Sequence, residues 1–409
     1  MLVLVFLLAI ALTLGGCSNP VDSLLELRTE QEARQTGSES SYEKAEQGGR
    51  EEKQQKDYND RFLKEGTRYA YSTLTDAQKI WYRDVEHVLG SMETDGDLSG
   101  EGVKLGLREQ DLEHVFLCVC MDHPEFFYVD GFSYVTHVLD DQVIGYTFSG
   151  NYGMTVEEAI QKEAEIQRAC EEILTPLRER PEAYGTDYDK IKYVYETLIR
   201  QTEYDVNAPE NQSIYSALVG KRSVCQGYSK SMQYLLNLLG VECALVQGTA
   251  MGQPHGWNLV RSGGDYYYVD VTWGDNSYHP SESGQGASDS PEILYEYLCV
   301  TTEEILKEHQ IDEIVPLPEC TCTKDNYFVR EGAFFTSADE AGLKRLFHNA
   351  SEENGWQVSL KCAGYGTFQK ILDLLLEQNK IFDYYPAGGT RVSYYQNEEL
   401  LCLTFWVTN

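Results

Sequence analysis

Gly220-Lys221-Arg222-Ser223-Val224-Cys225-Gln226-Gly227-Tyr228-Ser229-Lys230-Ser231-Met232-Gln233-Tyr234-Leu235-Leu236-Asn237-Leu238-Leu239-Gly240 is the stretch on which the fold turns. Tyr228, Met232, Leu235, Leu236 and Leu239 recur at helical spacing, and Gly240 supplies a stop. The stretch therefore reads as an amphipathic helix with Cys225 at its first turn. A helix N-terminus offers unpaired backbone N–H groups and a partial positive charge, and both favour a thiolate over a thiol whose ordinary pKa is about 8.5. The same N–H groups can hold an oxyanion during acyl transfer. A cysteine ahead of such a helix is also an ordinary buried residue, so the helix alone decides nothing.

The sequence that follows supplies partners. Val241 to Gly248 reads as a strand, and Gly252-Gln253-Pro254-His255-Gly256-Trp257-Asn258-Leu259-Val260 and Asp265-Tyr266-Tyr267-Tyr268-Val269-Asp270 flank the hairpin signal Ser262-Gly263-Gly264. Alternate strand residues share a face, so His255, Trp257 and Leu259 lie together, as do Tyr266, Tyr268 and Asp270. An even loop puts His255 opposite or diagonal to Asp270 on one face, and an odd loop without a bulge separates them. The turn chemistry permits both. With the two on one face, the roles follow: Cys225 as nucleophile, His255 taking its proton and returning it to the leaving amine, Asp270 fixing the imidazole tautomer.

Val-Cys-Gln-Gly-Tyr at 224–228, Pro-His-Gly-Trp-Asn-Leu-Val at 254–260 and Tyr-Tyr-Tyr-Val-Asp-Val-Thr-Trp-Gly-Asp at 266–275, in that order, resemble the core of the transglutaminase-like superfamily across roughly Tyr188 to Asp275. The resemblance implies an α+β, papain-like fold, with a cysteine-bearing helix packed on an antiparallel sheet that carries His and Asp. It also implies Cys225, His255 and Asp270 as a catalytic triad that cleaves peptide or glutamine amide bonds through a thioester. The acyl group would pass to an amine or to water, and cross-linking and hydrolysis both stay open. Gln212 would be the side-chain amide at the oxyanion, although Asn211-Gln212-Ser213 also reads as a helix cap. Trp257 and Trp273 are candidate walls of a substrate cleft, with a core role as the alternative. Thr202 to Asp205 and Asp325 to Phe328 extend the resemblance to surface proteins of Gram-positive bacteria carrying this domain. The rival reading is a cell-surface binding or assembly module that keeps the fold without turnover.

The 409 residues exceed what one core organises, and 66 acidic against 33 basic residues give a formal charge of −33. Such a field repels phosphate backbones and points away from nucleic acid. Met1 to Gly16 is almost wholly apolar and too short to span a bilayer, as expected of a secretory signal peptide. Leu14-Gly15-Gly16-Cys17 resembles the bacterial lipobox, which implies a lipid on Cys17, the extracellular face of the cell membrane as location, and protein or peptide substrates in the envelope or medium. No Lys or Arg precedes the apolar run. Residues 17–60 are too polar to bury a core and read as a disordered or helical tether.

Beyond the tether, the expectation is a small α+β module over 61–151, the catalytic domain over 152–330 and a C-terminal α+β module over 331–409. In the first of these, Thr75-Asp76-Ala77-Gln78 signals a capping box, Asp140-Asp141 a hairpin turn, and His123 a packed turn residue rather than a ligand. In the last, a helix is expected over Thr367 to Gln378. The eleven cysteines show only C-x-C pairs, at Cys118 with Cys120 and Cys320 with Cys322, so no metal and no cofactor is assigned. Their state, disulfide or thiol, is left open by sequence, and so is the oligomeric state.

Overall fold

The computed structural model of the chain describes residues 10–11, 68–276, 293–352, 357–385 and 391–408. The expected signal peptide, apart from Ile10 and Ala11, lies outside these residues, as do Cys17 and the tether of 17–60. The chain divides into two compact units, the first comprising residues 1–168 with 313–316 and the second residues 169–312 with 317–409. The expected C-terminal module falls in the second unit, and so does the expected central domain apart from residues 152–168 and 313–316, which belong to the first. No described helix is long and apolar enough to cross a membrane.

In the first unit, helix α1 (Asp76–Gly90) starts at Thr75, whose side chain accepts from the Gln78 N–H while Gln78 reaches back to the Thr75 N–H. This is the reciprocal cap that the sequence signals. Its face buries Trp81, Tyr82, Val85, Val88 and Leu89 beside α2 (Glu109–Asp122). The antiparallel strands β1 (Val129–Leu139) and β2 (Gln142–Tyr152) turn through Asp140 and Asp141, which adopt φ of 49° and 60°. Aspartate tolerates that left-handed backbone, and two such residues make the tight turn that a twisted hairpin prefers. Ile10–Ala11 pairs alongside Gly131 and Phe132.

His123, fully buried after α2, stacks on Phe126 at 4.6 Å and pairs with Glu86 at 2.9 Å and Glu125 at 2.8 Å. Burial alone would push this imidazole down. The two carboxylates, Glu125 first, outweigh burial and raise its pKa to about 9.

In the second unit, α3 (Asp187–Gln201) packs on α4 (Cys225–Leu238), and α4 packs on an antiparallel sheet. The sheet runs in the order β6 (Leu298–Val300), β5 (Asp265–Val269), β4 (Gln253–Ser262), β3 (Cys243–Ala250), β7 (His309–Ile311). Tyr228, Met232, Leu235 and Leu236 of α4 are fully buried, and each such side chain contributes about 1.5–3 kcal/mol of apolar burial. A helix carrying the cysteine against an antiparallel sheet is the α+β class expected from sequence.

The C-terminal residues form a second sheet in the order Phe334–Phe335, Gln357–Cys362, Cys402–Thr408, Arg391–Asn397, with only the first pairing parallel. Here one expectation is corrected. The helix read over Thr367 to Gln378 is an α-helix over Tyr365–Leu372 that widens into a π turn over Asp373–Glu377. A single π turn shifts the apolar spacing by only about one residue, so periodicity gives no notice of the change.

Candidate active site

Cys225 is the first residue of α4, and the residue at the N-cap is Val224, which has no polar atom with which to cap. Thr75, Thr186, Ser213 and Thr301 all cap the helices they precede with their side chains. At Cys225 the positive end of the helix is therefore left to face the thiol and whatever binds there.

Two contacts tie this helix start to its surroundings. The Asn211 carbonyl accepts from the Val224 N–H at 3.0 Å and from the Ser223 hydroxyl at 2.6 Å, which brings the 211–213 loop against the residues before Cys225. A β-carbon on Gly227 would lie 1.9 Å from the Ser223 hydroxyl and 2.9 Å from the Ser213 carbonyl, so that approach requires glycine. On the other side, Ser229 donates to the Gly256 carbonyl at 2.6 Å, and Asn258 donates to the Ser229 carbonyl at 2.9 Å. The first turns of the cysteine helix are thereby docked on the strand that carries His255.

The hairpin answers the question of parity. Ser262 pairs with Asp265, so Gly263 and Gly264 form a two-residue loop with φ of 58° and 100°, a conformation glycine adopts without strain. The loop is even. His255 and Asp270 share a face, diagonal to one another, and His255 Nε2 lies 2.7 Å from Asp270 Oδ2. Both groups are buried, His255 at 5% and Asp270 at 0% exposure. The bond assigns the ring proton to Nε2 and leaves Nδ1 of His255 as the basic nitrogen.

Asp270 receives more than this one donor. Its Oδ1 accepts the N–H groups of Thr272 at 3.0 Å and Trp273 at 3.1 Å, and its Oδ2 also meets Nε2 of His309 at 3.0 Å. Burial would push the carboxyl up. Attraction to His255 and the hydrogen bonds from His255 and His309 outweigh burial and hold it well below the usual carboxylate range.

His309 has no counterpart in the sequence reading. It stands on the edge strand β7, opposite Ala250, and lies 39 residues along the chain from Asp270. The only local signal is a three-residue strand, His309-Gln310-Ile311, too short to be read from alternation.

The remaining candidates find these places. Trp257 is fully buried and Trp273 is 4% exposed; Trp257 packs 5.9 Å from His255 and 4.9 Å from His309, Trp273 6.0 Å and 4.6 Å from the same rings. Both tryptophans thus wall the imidazoles and present no exposed cleft surface. Gln212 is half-buried in the loop bonded to Val224, and the cap of the following helix is its neighbour Ser213. Ser213 makes the cap bond, and Gln212 is the residue immediately before that helix start.

Among the described residues, His255, Asp270 and His309 offer ligand-type atoms close enough to share a metal. Their N···O separations of 2.7 and 3.0 Å are those of hydrogen bonds, whereas two ligands on a tetrahedral zinc stand about 3.3 Å apart. The geometry is that of proton-bridged groups.

The described cysteines are thiols. Burial pushes the thiols of Cys118, Cys170 and Cys362 up to about 12, which makes them poor nucleophiles at neutral pH.

The family model described as the transglutaminase-like superfamily matches residues 178–273. That stretch is a transglutaminase-like domain. Cys225, His255 and Asp270 lie inside it and His309 outside. Kyphoscoliosis peptidase from Homo sapiens is 26% identical over 106 residues, 22% of this chain and 16% of that protein. The Mus musculus protein of the same name is 23% identical over 134 residues, 29% of this chain and 20% of that protein. The chain thus spans a fifth or less of the length of these relatives. A solved structure described as a crystal structure of a TGase aligns with 40% of this chain and 47% of that chain at 15% identity and a TM-score of 0.25.

Proposed function

We propose that the chain is a thiol enzyme that breaks peptide or glutamine amide bonds through a thioester on Cys225. The observation that carries the reading is the buried His255–Asp270 pair on the strands against which the uncapped start of the cysteine helix is docked.

In the first half-reaction the Cys225 sulfur attacks the amide carbonyl and its proton passes to Nδ1 of His255. The C–N bond then breaks as His255 returns that proton to the leaving amine. Asp270 supports the imidazolium in between. Backbone N–H groups at the start of α4 would hold the oxyanion, and Gln212, next in the chain to the Asn211 whose carbonyl accepts from Val224, is the candidate for a second donor. In the second half-reaction water or an amine gives its proton to His255 and attacks the thioester, and Cys225 leaves as the thiol. The relatives carry the word peptidase in their name, which favours hydrolysis as the first activity to assay.

The same proposal puts the protein at the extracellular face of a bacterial membrane through a lipid on Cys17, with protein or peptide substrates in the envelope or medium. Cys17→Ala should then release the protein into the soluble fraction, and unchanged membrane retention would sink the anchor.

The test of the thiol reading is the pH dependence of iodoacetamide alkylation, mapped by peptide mass spectrometry. Cys118, Cys170 and Cys362 serve as unreactive internal standards. Cys225 should be labelled selectively well below the ordinary thiol pKa of about 8.5, and His255→Ala should abolish that selectivity. An inert Cys225 would leave the surface binding module as the better reading.

A further inference from the structure

We propose that His309 is a positioning residue of the thiol site: by donating its Nε2–H to the same Asp270 oxygen that serves His255, it keeps the carboxylate aimed at His255. The inference rests on the thiol-enzyme reading above.

Three observations carry it. First, the two imidazoles reach Asp270 Oδ2 from different strands, His255 from the central β4 and His309 from the edge strand β7, with β3 between them. Together with the two backbone N–H groups on Oδ1, they give the carboxylate four donors and leave it little freedom to turn. Second, Nδ1 of His309 is buried with no hydrogen-bond partner, in a cage formed by the rings of Trp257, Trp273 and Tyr297 at 4.9, 4.6 and 5.1 Å. A proton on that nitrogen would be buried without an acceptor, so the ring proton belongs on Nε2, facing Asp270.

Third, the strand that delivers His309 is pinned by side chains remote from the triad. Lys307 donates to the Glu399 carbonyl at 2.5 Å, and Asn397 donates to Glu308 at 3.3 Å. Tyr297, whose ring packs on His309, donates its hydroxyl to the same Glu308. The C-terminal hairpin therefore holds the two residues immediately before His309, which gives that part of the second unit a role in the site. The hydrogen bond from His309 is also among the causes that hold the Asp270 carboxyl below its usual range.

The pair His309→Gln and His309→Met tests the role in the full chain, because both fill the cage and only glutamine presents a donor. His309→Met should slow Cys225 alkylation at pH 7 about tenfold while circular dichroism is unchanged, and His309→Gln should restore the rate to within about threefold. Equal rates in parent and His309→Met, with His255→Ala still slow, overturn the positioning role and leave the thiol reading standing. A Cys225 that responds to neither His255→Ala nor His309→Met overturns the thiol reading itself. Should His309→Met fail to fold, nitrogen-15 spectra of histidine-labelled parent protein decide the same point. A His309 ring protonated at Nε2 supports the inference, and one protonated at Nδ1 overturns it.

Discussion

The two units bury the same kinds of side chain in inverse proportion. Behind α2, one imidazole, His123, stands between two carboxylates, Glu86 and Glu125. In the central sheet, one carboxylate, Asp270, stands between two imidazoles, His255 and His309. The ratio decides what each cluster can do. Two acids keep the single ring of His123 protonated on both nitrogens to about pH 9, so it has no lone pair to offer and acts as a structural cation. One acid shared by two rings satisfies one nitrogen of each, and Nδ1 of His255 takes no part in that bonding. A buried histidine beside a carboxylate is thus no sign of catalysis until the acids are counted.

The comparison can be broken at several points. The largest effect belongs to His255→Ala, which should slow thioester formation on an amide substrate by about 10²–10⁴-fold, measured as single-turnover rate. His123→Ala should leave that rate within about twofold of the parent.

Stability should respond the other way round. His123→Leu takes the cation from the partly buried Glu125 and leaves Glu86 with Arg68 alone, 2.8 Å away, and should cost the first unit about 1–3 kcal/mol in urea unfolding. A loss below about 1 kcal/mol would mean that the cluster is not an ion-paired one.

The pH windows sharpen the contrast. His123 has its pKa raised from an ordinary value of about 6.5, so its stabilisation is complete below that pH and is lost as pH rises towards about 9, on the order of 3 kcal/mol in all. Asp270 is depressed, so its contribution is present above the ordinary carboxyl value of about 4 and is lost only as pH falls below it. Thermal unfolding followed separately for each unit should therefore show one weakening in alkali and the other in acid. The smallest effect is expected from Gly256→Ala, whose β-carbon would come 2.9 Å from the movable end of Gln226 and should cost under about 1 kcal/mol.

Much of the site was readable because its parts are local patterns. The helix that begins at Cys225 announces itself by five apolar positions at helical spacing, four of them fully buried, and by a terminal glycine, and its lack of a capping side chain is visible in Val224. The hairpin is signalled by Gly263-Gly264, but its even register is a property of the turn conformation, and sequence allowed either outcome. His309 was out of reach for a different reason. Its strand is only three residues long and its partner is 39 residues away, so the contact exists only through the ladder between β7 and β3. Trp257 and Trp273 were legible as aromatics near the site. That they cage imidazoles follows from side-chain packing, which no spacing encodes.

Val224 has a further consequence. Every other helix start compared above satisfies its first N–H groups with a threonine or serine, a contribution of about 1 kcal/mol each. The cysteine helix forgoes it. A serine or aspartate at 224 would make the sturdier protein and, on the proposed thiol-enzyme reading, the duller thiol, because the cap would occupy donors that the sulfur and the oxyanion would otherwise use. Selection for heat resistance alone would push this position towards a polar cap, and on the proposed thiol-enzyme reading the valine leaves those donors open instead.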